Sequence, residues 1–134
     1  MTISLQYCNV TVTDVDESLP FYRDGLGLDI QMDVSNGGFR WLTLGSADQP
    51  GLGIVLSVPH AGRSQADGDA LQELLTKGQL PMLVFSTDDL DATFERVRAT
   101  GAEVLQEPIE QGWGARDSAF RDPSGNMVRL SQAQ

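Results

Sequence analysis

The sequence predicts an α+β fold: two tandem βαβββ modules whose strands curve as a half-open eight-stranded barrel around a cleft. Three observations predict it. The stretch "TDVDESLPFYRDGLGLDI" from Thr13 returns as "TDDLDATFERVRATGAEV" from Thr87, each with Thr-Asp, a helical pattern holding a phenylalanine, a glycine and strand-like residues. Aligning Val12-Thr13-Asp14 with Thr87-Asp88-Asp89 brings both helix caps into register, about 75 positions apart. Each helix has one strand pattern before it and three after it. One such unit covers its sheet on one face only, so two units must bury their open faces against each other or leave a cleft between them.

The first module takes residues 1–58. "SLQYCNVTVTD" (Ser4 to Asp14) alternates with period two, placing Cys8, Val10 and Val12 on one face and Tyr7, Asn9 and Thr11 on the other. Asp14 and Asp16 offer capping oxygens for a helix through about Asp24, with Leu19 and Phe21 or Tyr22 spaced for an apolar stripe. Gly25 and Gly27 end it. Strands follow at about Leu28 to Val34, Phe39 to Leu44 and Leu52 to Val58, separated by the turn-forming stretches "SNGG" and "GSADQPG".

Residues 59–79 form a polar connector, with "DALQELLTK" (Asp69 to Lys77) reading as a short amphipathic helix. The second module, residues 80–134, repeats the order. "LPMLVFST" is a strand, and Asp88 to Thr100 is a capped helix with Leu90, Phe94 and Val97 on one stripe, stopped by Gly101. "AEVLQEPI" and "GARDSAFR" are strands, "DPSG" (Asp122 to Gly125) has the residues of a type I turn, and "NMVRLSQ" closes the chain. The 134 residues make a single domain of two half-size units that share a core.

Composition narrows the function classes. Nineteen Asp+Glu against nine Lys+Arg give a net charge of −10, a field that repels nucleic-acid phosphates and anionic lipid. Solubility accounts for that excess, and attraction of a cationic ligand is the sharper reading. The longest apolar run, "LGIVLSV", is strand length, and "MTISLQYCNV" lacks the basic start and apolar block of a signal peptide. A single cysteine, Cys8, makes no internal disulfide and reads as a small buried hydrophobe. A cytoplasmic protein with no nucleic-acid or membrane partner is the expectation.

"VTDVDESLPFYRDGLGL" in the first module, and "TDDLDATFERVRATGAEV" with "FRDPSGNMVRL" in the second, resemble the vicinal oxygen chelate superfamily of glyoxalase I, extradiol dioxygenases and bleomycin-resistance proteins. "RWLTL" (Arg40 to Leu44) is similar to an uncharacterised glyoxalase-like branch. The resemblance spans essentially the whole chain. It implies tandem βαβββ modules around a cleft, and commonly a homodimer. It also implies one divalent ion held by four side chains, usually His, Gln or Glu, from the first and last strands of each module. The matching positions here are Tyr7, Gly53, Met82 and Arg129. Glycine has no side chain, arginine has no lone pair to give and repels a cation, and a thioether suits copper(I) rather than Mg, Ni, Zn or Fe. No metal and no cofactor is therefore expected.

No other residues replace that chemistry. The one histidine, His60, sits in "VPHAG" beyond a strand end. The acidic groups at Asp14, Asp16, Glu17 and at Asp88, Asp89, Asp91 are explained by helix starts. A Ser-His-Asp or Cys-His arrangement and a phosphate-cradling glycine loop are both missing. The cleft predicted by alternation and by the resemblance is lined by Tyr7, Asn9, Trp41, Gly53, Met82, Trp113 and Arg129, a mixed surface suited to an organic molecule. Alternation leaves open whether Trp41 and Trp113 face the cleft or the core. Arg129 should point into the cleft, where an unpaired guanidinium is costly, so it needs a partner. Tyr7, then Glu107, are the partners the sequence offers. Two functions follow: a metal-free small-molecule-binding protein that sequesters a drug or metabolite, or a lyase, isomerase or dioxygenase built on Tyr7, Glu107 and Arg129.

Overall fold

Asp14 and Asp89 open two helices in the same way. The Asp14 carboxylate accepts from the Glu17 N–H at 2.9 Å, and that of Asp89 from the Ala92 N–H at 3.1 Å. In a computed structural model that describes residues 1–134, the first module runs β1 (Tyr7–Thr11), α1 (Val15–Leu19), β2 (Asp29–Asn36), β3 (Phe39–Gly45) and β4 (Gly53–Ser57). After α2 (Gln65–Thr76) come β5 (Leu83–Thr87), α3 (Leu90–Arg98), β6 (Glu103–Glu110), β7 (Arg116–Arg121) and β8 (Met127–Gln132).

Two elements differ from the sequence expectation. The first helix is α-helical only to Leu19 and widens into a π-helical turn over Pro20–Gly25. Pro20 has no N–H to give to the preceding turn, and the chain after it bonds at longer spacing, Leu26 N–H to Phe21 O at 3.0 Å and Leu28 N–H to Tyr22 O at 3.1 Å. The connector helix α2 starts at Gln65 rather than Asp69, because Ser64 caps it by accepting from the Asp67 N–H. Gly68 within it is required: the His60 ring packs where a Cβ would stand.

The strands form two four-stranded sheets, ordered β1-β4-β3-β2 and β5-β8-β7-β6. In each, the first and last strands of the module pair in parallel and the other pairs are antiparallel. One face of each sheet is buried by its helix. Val10, Val12, Leu42, Leu44 and Leu56 from the first sheet share a single core with Phe120, Val128 and Leu130 from the second. Phe21, Tyr22, Leu90, Phe94 and Val97 fill it from the helices, with Phe120 stacked 5.0 Å from Phe94 and 6.4 Å from Phe21 between ring centroids. The two modules therefore meet through their helix-covered sides.

A polar joint fastens that meeting. The Tyr22 hydroxyl donates to Asp122 Oδ2 at 2.6 Å, inside the core. Asp122 Oδ1 accepts from the Ser124 and Asn126 N–H groups, shaping the turn, while Asn126 Nδ2 donates to Asp122 Oδ2 and to Thr11 O. The Thr13 N–H reaches Ser124 Oγ at 2.8 Å, and Arg96 Nε reaches Gly25 O at 2.7 Å. Burial of Tyr22, then the charge of Asp122 and the hydrogen bond to it, holds the phenol well above its usual pKa. "FYRDG" and "DPSGN" are thus two halves of one structural joint.

Candidate ligand-binding site on the open sheet faces

The faces turned away from the helices are bare. On the first sheet, register places Tyr7 opposite Gly53, Asn9 opposite Val55 and Thr11 opposite Ser57. Thr43 of β3 lies opposite Val55 on this face, and Trp41, two residues along β3, shares it opposite Val34. Leu42 and Leu44 alternate to the buried side. This settles the question that alternation left open for Trp41: it belongs to the open face. A bulge between Ile30 and Met32 carries the Gln31 amide over Gly45 and Gly53. Gly53 is needed there, since a Cβ would stand 2.9 Å from Thr43 Cγ2 and 3.1 Å from Leu44 O.

On the second sheet the open face presents Val84, Ser86, Arg129, Ser131 and Ala119, while Leu83, Phe85, Val128, Leu130 and Phe120 turn inward. Met82 lies just before β5 rather than within it, and is exposed. Arg129 points to this face, as the sequence predicts. Its partner is Asp117 of β7, not Tyr7 or Glu107: Arg129 Nη2 donates to Asp117 Oδ2 at 3.1 Å and Nε does so at 3.3 Å. Arg129 Nη2 also donates to Gln106 Oε1 at 3.0 Å. Gln106 and Gln111 each donate from Nε2 to Asp117 Oδ1, at 2.9 and 2.8 Å. Burial pulls the Asp117 carboxyl upward, but the hydrogen bonds from Gln111, Gln106 and Arg129, with the charge of Arg129, outweigh it and leave its pKa below the usual value.

The sequence pattern of the Glyoxalase/Bleomycin resistance protein/Dioxygenase superfamily matches residues 4–130. The chain belongs to that superfamily. The solved structure of UcmS2 is similar at 30% identity with a TM-score of 0.87, covering 99% of this chain and 100% of the other. TnmS3, an antibiotic binding protein from Streptomyces sp. CB03234, is similar at 28% identity with a TM-score of 0.76, covering 100% and 99%. The uncharacterised protein YurT of Bacillus subtilis is 30% identical over 125 residues, 92% of this chain and 94% of its own length.

The superfamily's metal positions can now be placed on this structure, and one requires correction. In the second sheet Arg129 pairs across from Val84; the corresponding pair in the first sheet is Asn9 with Val55. The counterpart of Arg129 is therefore Val55, not Gly53, which lies on the same face but two residues earlier in β4. The corrected set is Tyr7, Val55, Met82 and Arg129. These side chains do not fit a divalent ion: valine has no donor atom, and the guanidinium of Arg129 already places a fixed positive charge there, neutralised by Asp117. Asp117, the nearest anionic oxygen donor, is consumed by that pair.

One further expectation is corrected, and the open question of Trp113 is answered. Cys8 is exposed rather than buried, because it lies on the helix-facing side of β1 but at the sheet edge. It lines a groove of about 1120 Å³ between the modules, together with Leu44, Ile54, Leu83, Phe85 and Arg96, which sequence patterning did not indicate. Trp113 is not core: it stands 74% exposed on the turn between β6 and β7, beside Gln111. His60 is held against α2, with Nε2 2.9 Å from Asp69 Oδ1. Asp117, Gln106 and Gln111 are the site residues that sequence reasoning missed. No signal in the repeat marked Gln106: register makes Met32 its counterpart, each paired just after a bulge, at Gln31 in the first module and at Leu105 in the second.

Proposed function

We propose that this protein is a metal-free binding protein for a small organic molecule, sequestering a drug or metabolite. The observation that carries this reading is the Arg129–Asp117 pair on the open face, at a position where superfamily enzymes place a metal ligand. A guanidinium held by a carboxylate and one glutamine binds acceptor groups and does not recruit a cation. The open faces of the two sheets offer a phenol, an indole and an amide from Tyr7, Trp41 and Asn9 on one and thioethers from Met82 and Met127 on the other, a composition suited to an organic ligand. The antibiotic binding named for TnmS3 supports the same class.

The cleft, in this reading, forms in a homodimer. Met32, Val34, Tyr7, Met82 and Val84 are each more than two-fifths exposed on a single chain. Such apolar sheet surface is covered by pairing with a second copy, which brings the first-module face of one protomer to the second-module face of its partner. Metal analysis of protein purified without chelator tests the first part: a stoichiometric divalent ion would overturn it. Sedimentation at micromolar concentration tests the second, where a monomer would remove the shared cleft. A thermal-shift screen of a broad ligand library should return stabilising compounds, since a ligand that binds only the folded state raises its stability.

A further inference from the structure

We infer that Arg129 is the specificity-determining donor of this cleft, and that it selects an apolar ligand carrying an uncharged acceptor oxygen such as a ketone or amide carbonyl. The inference rests on the binding function proposed above and deepens it. Three of the guanidinium's hydrogen-bonding directions are spent: Nε and Nη2 on Asp117, and Nη2 again on Gln106. Nη1 is different. Its one contact is the thioether sulfur of Met127, a weak acceptor, at 4.0 Å. Arg129 is thus a donor aimed by three hydrogen bonds to two partners, with Nη1 on the side of Met127.

The surroundings decide what accepts from it. Val84, directly across the strand pair, is 61% exposed, and Met82 just before β5 is 54% exposed. A ligand lying against them must be apolar over most of its area. Arg129 brings no net attraction for an anion, because Asp117 cancels its charge and the chain as a whole carries −10. A ligand carboxylate would be buried beside the Asp117 carboxylate with only one shared cation between them. A carbonyl oxygen takes the same N–H without that repulsion.

Three compounds with one ring skeleton separate these cases: tetralin, 1-tetralone and the tetralin-1-carboxylate anion. Their affinities are read by ¹H–¹⁵N spectra of the wild-type protein, including the Arg129 side-chain N–H signals. The expected result is that 1-tetralone binds about 10- to 100-fold more tightly than tetralin, binds more tightly than the carboxylate, and alone among the three moves the Arg129 signals in full. Arg129→Met should erase the difference between ketone and hydrocarbon. Asp117→Asn should shift preference toward the carboxylate, since it uncovers the guanidinium charge. Equal binding of tetralin and 1-tetralone, or tighter binding of the carboxylate to wild type, would overturn the inference while leaving a binding protein. Failure of all three to bind would remove the binding function as well.

Discussion

The two modules repeat each other in frame and differ where they turn. Each opens its helix with an aspartate cap, and each places an ion pair from helix to third strand: Arg40 with Asp16, and Arg116 with Asp91. Each has a bulge at the same place in its second strand, at Gln31 and at Leu105. The turns before the last strands diverge. Ser46 and Asp122 both follow the end of the third strand, and both accept from the N–H two residues on, at 3.2 and 2.9 Å. A serine has one side-chain oxygen and spends it on that turn. An aspartate has two, and the second reaches across to Tyr22 and Asn126. On α3, Val97 stands where the repeat would place Tyr22, and it has no hydroxyl to offer. The junction at the second turn is therefore closed. At the first turn Ser46, Gln49 and Leu52 face Ala92, Thr93 and Arg96 across an open groove. The second carboxylate oxygen of Asp122 is what links the two modules at this turn, and Ser46 has no counterpart to it.

The largest expected effect breaks that closed junction. Asp122→Ala strips the acceptor from two backbone N–H groups, the Tyr22 hydroxyl and Asn126 at once, and should cost about 3–5 kcal/mol in urea unfolding. Ser46→Ala, at the matching turn, should stay within about 0.5 kcal/mol. Similar losses at both sites would mean that the joint is not what holds the modules. Tyr22→Phe should fall between them, at about 1–2 kcal/mol, since Asp122 keeps Asn126 as a donor. The folded-state pKa of Tyr22 is raised, so its stabilisation is intact below about pH 10 and is lost as pH rises from there toward the folded value. The alkaline unfolding of wild type should weaken in the Phe variant.

A middle-sized effect concerns the open faces. Asp117 is held below its ordinary pKa, so its stabilisation is present above about pH 4 and is lost as pH falls through the folded value. Wild type should exceed Asp117→Asn by about 1–3 kcal/mol at neutral pH, with the gap closing on acidification. A gap that is flat with pH would show that the carboxylate charge does not matter to Arg129. The smallest effects belong to the repeated surface pairs. Asp16→Ala and Asp91→Ala should shift the thermal midpoint slightly and about equally, and added salt should abolish both shifts. Unequal shifts would show that the modules differ in their helices as well as their turns.

Much of this was readable from residues alone. The caps at Asp14 and Asp89 and the alternation that separates Val10 from Asn9 depend on local spacing and on side-chain chemistry. Those act within one turn of helix or along one strand, so the order of residues determines them. The placing of Arg129 on the open face follows from alternation too. Its partner does not: Asp117 lies 12 positions away on a neighbouring strand, and the contact exists only once β7 and β8 have settled their register. The bulges at Ile30 and Val104 shift cross-strand neighbours by one residue, which no alternation rule carries forward. The bond from Tyr22 to Asp122 spans 100 positions and depends on how two whole modules dock. The sequence by itself determined two modules and their covered and open faces. Only the tertiary structure decided where the polar joint between the modules forms, that Trp41 lies on the open face, and that a carboxylate and a glutamine fix the arginine, because each of these depends on atoms brought together across strands and modules.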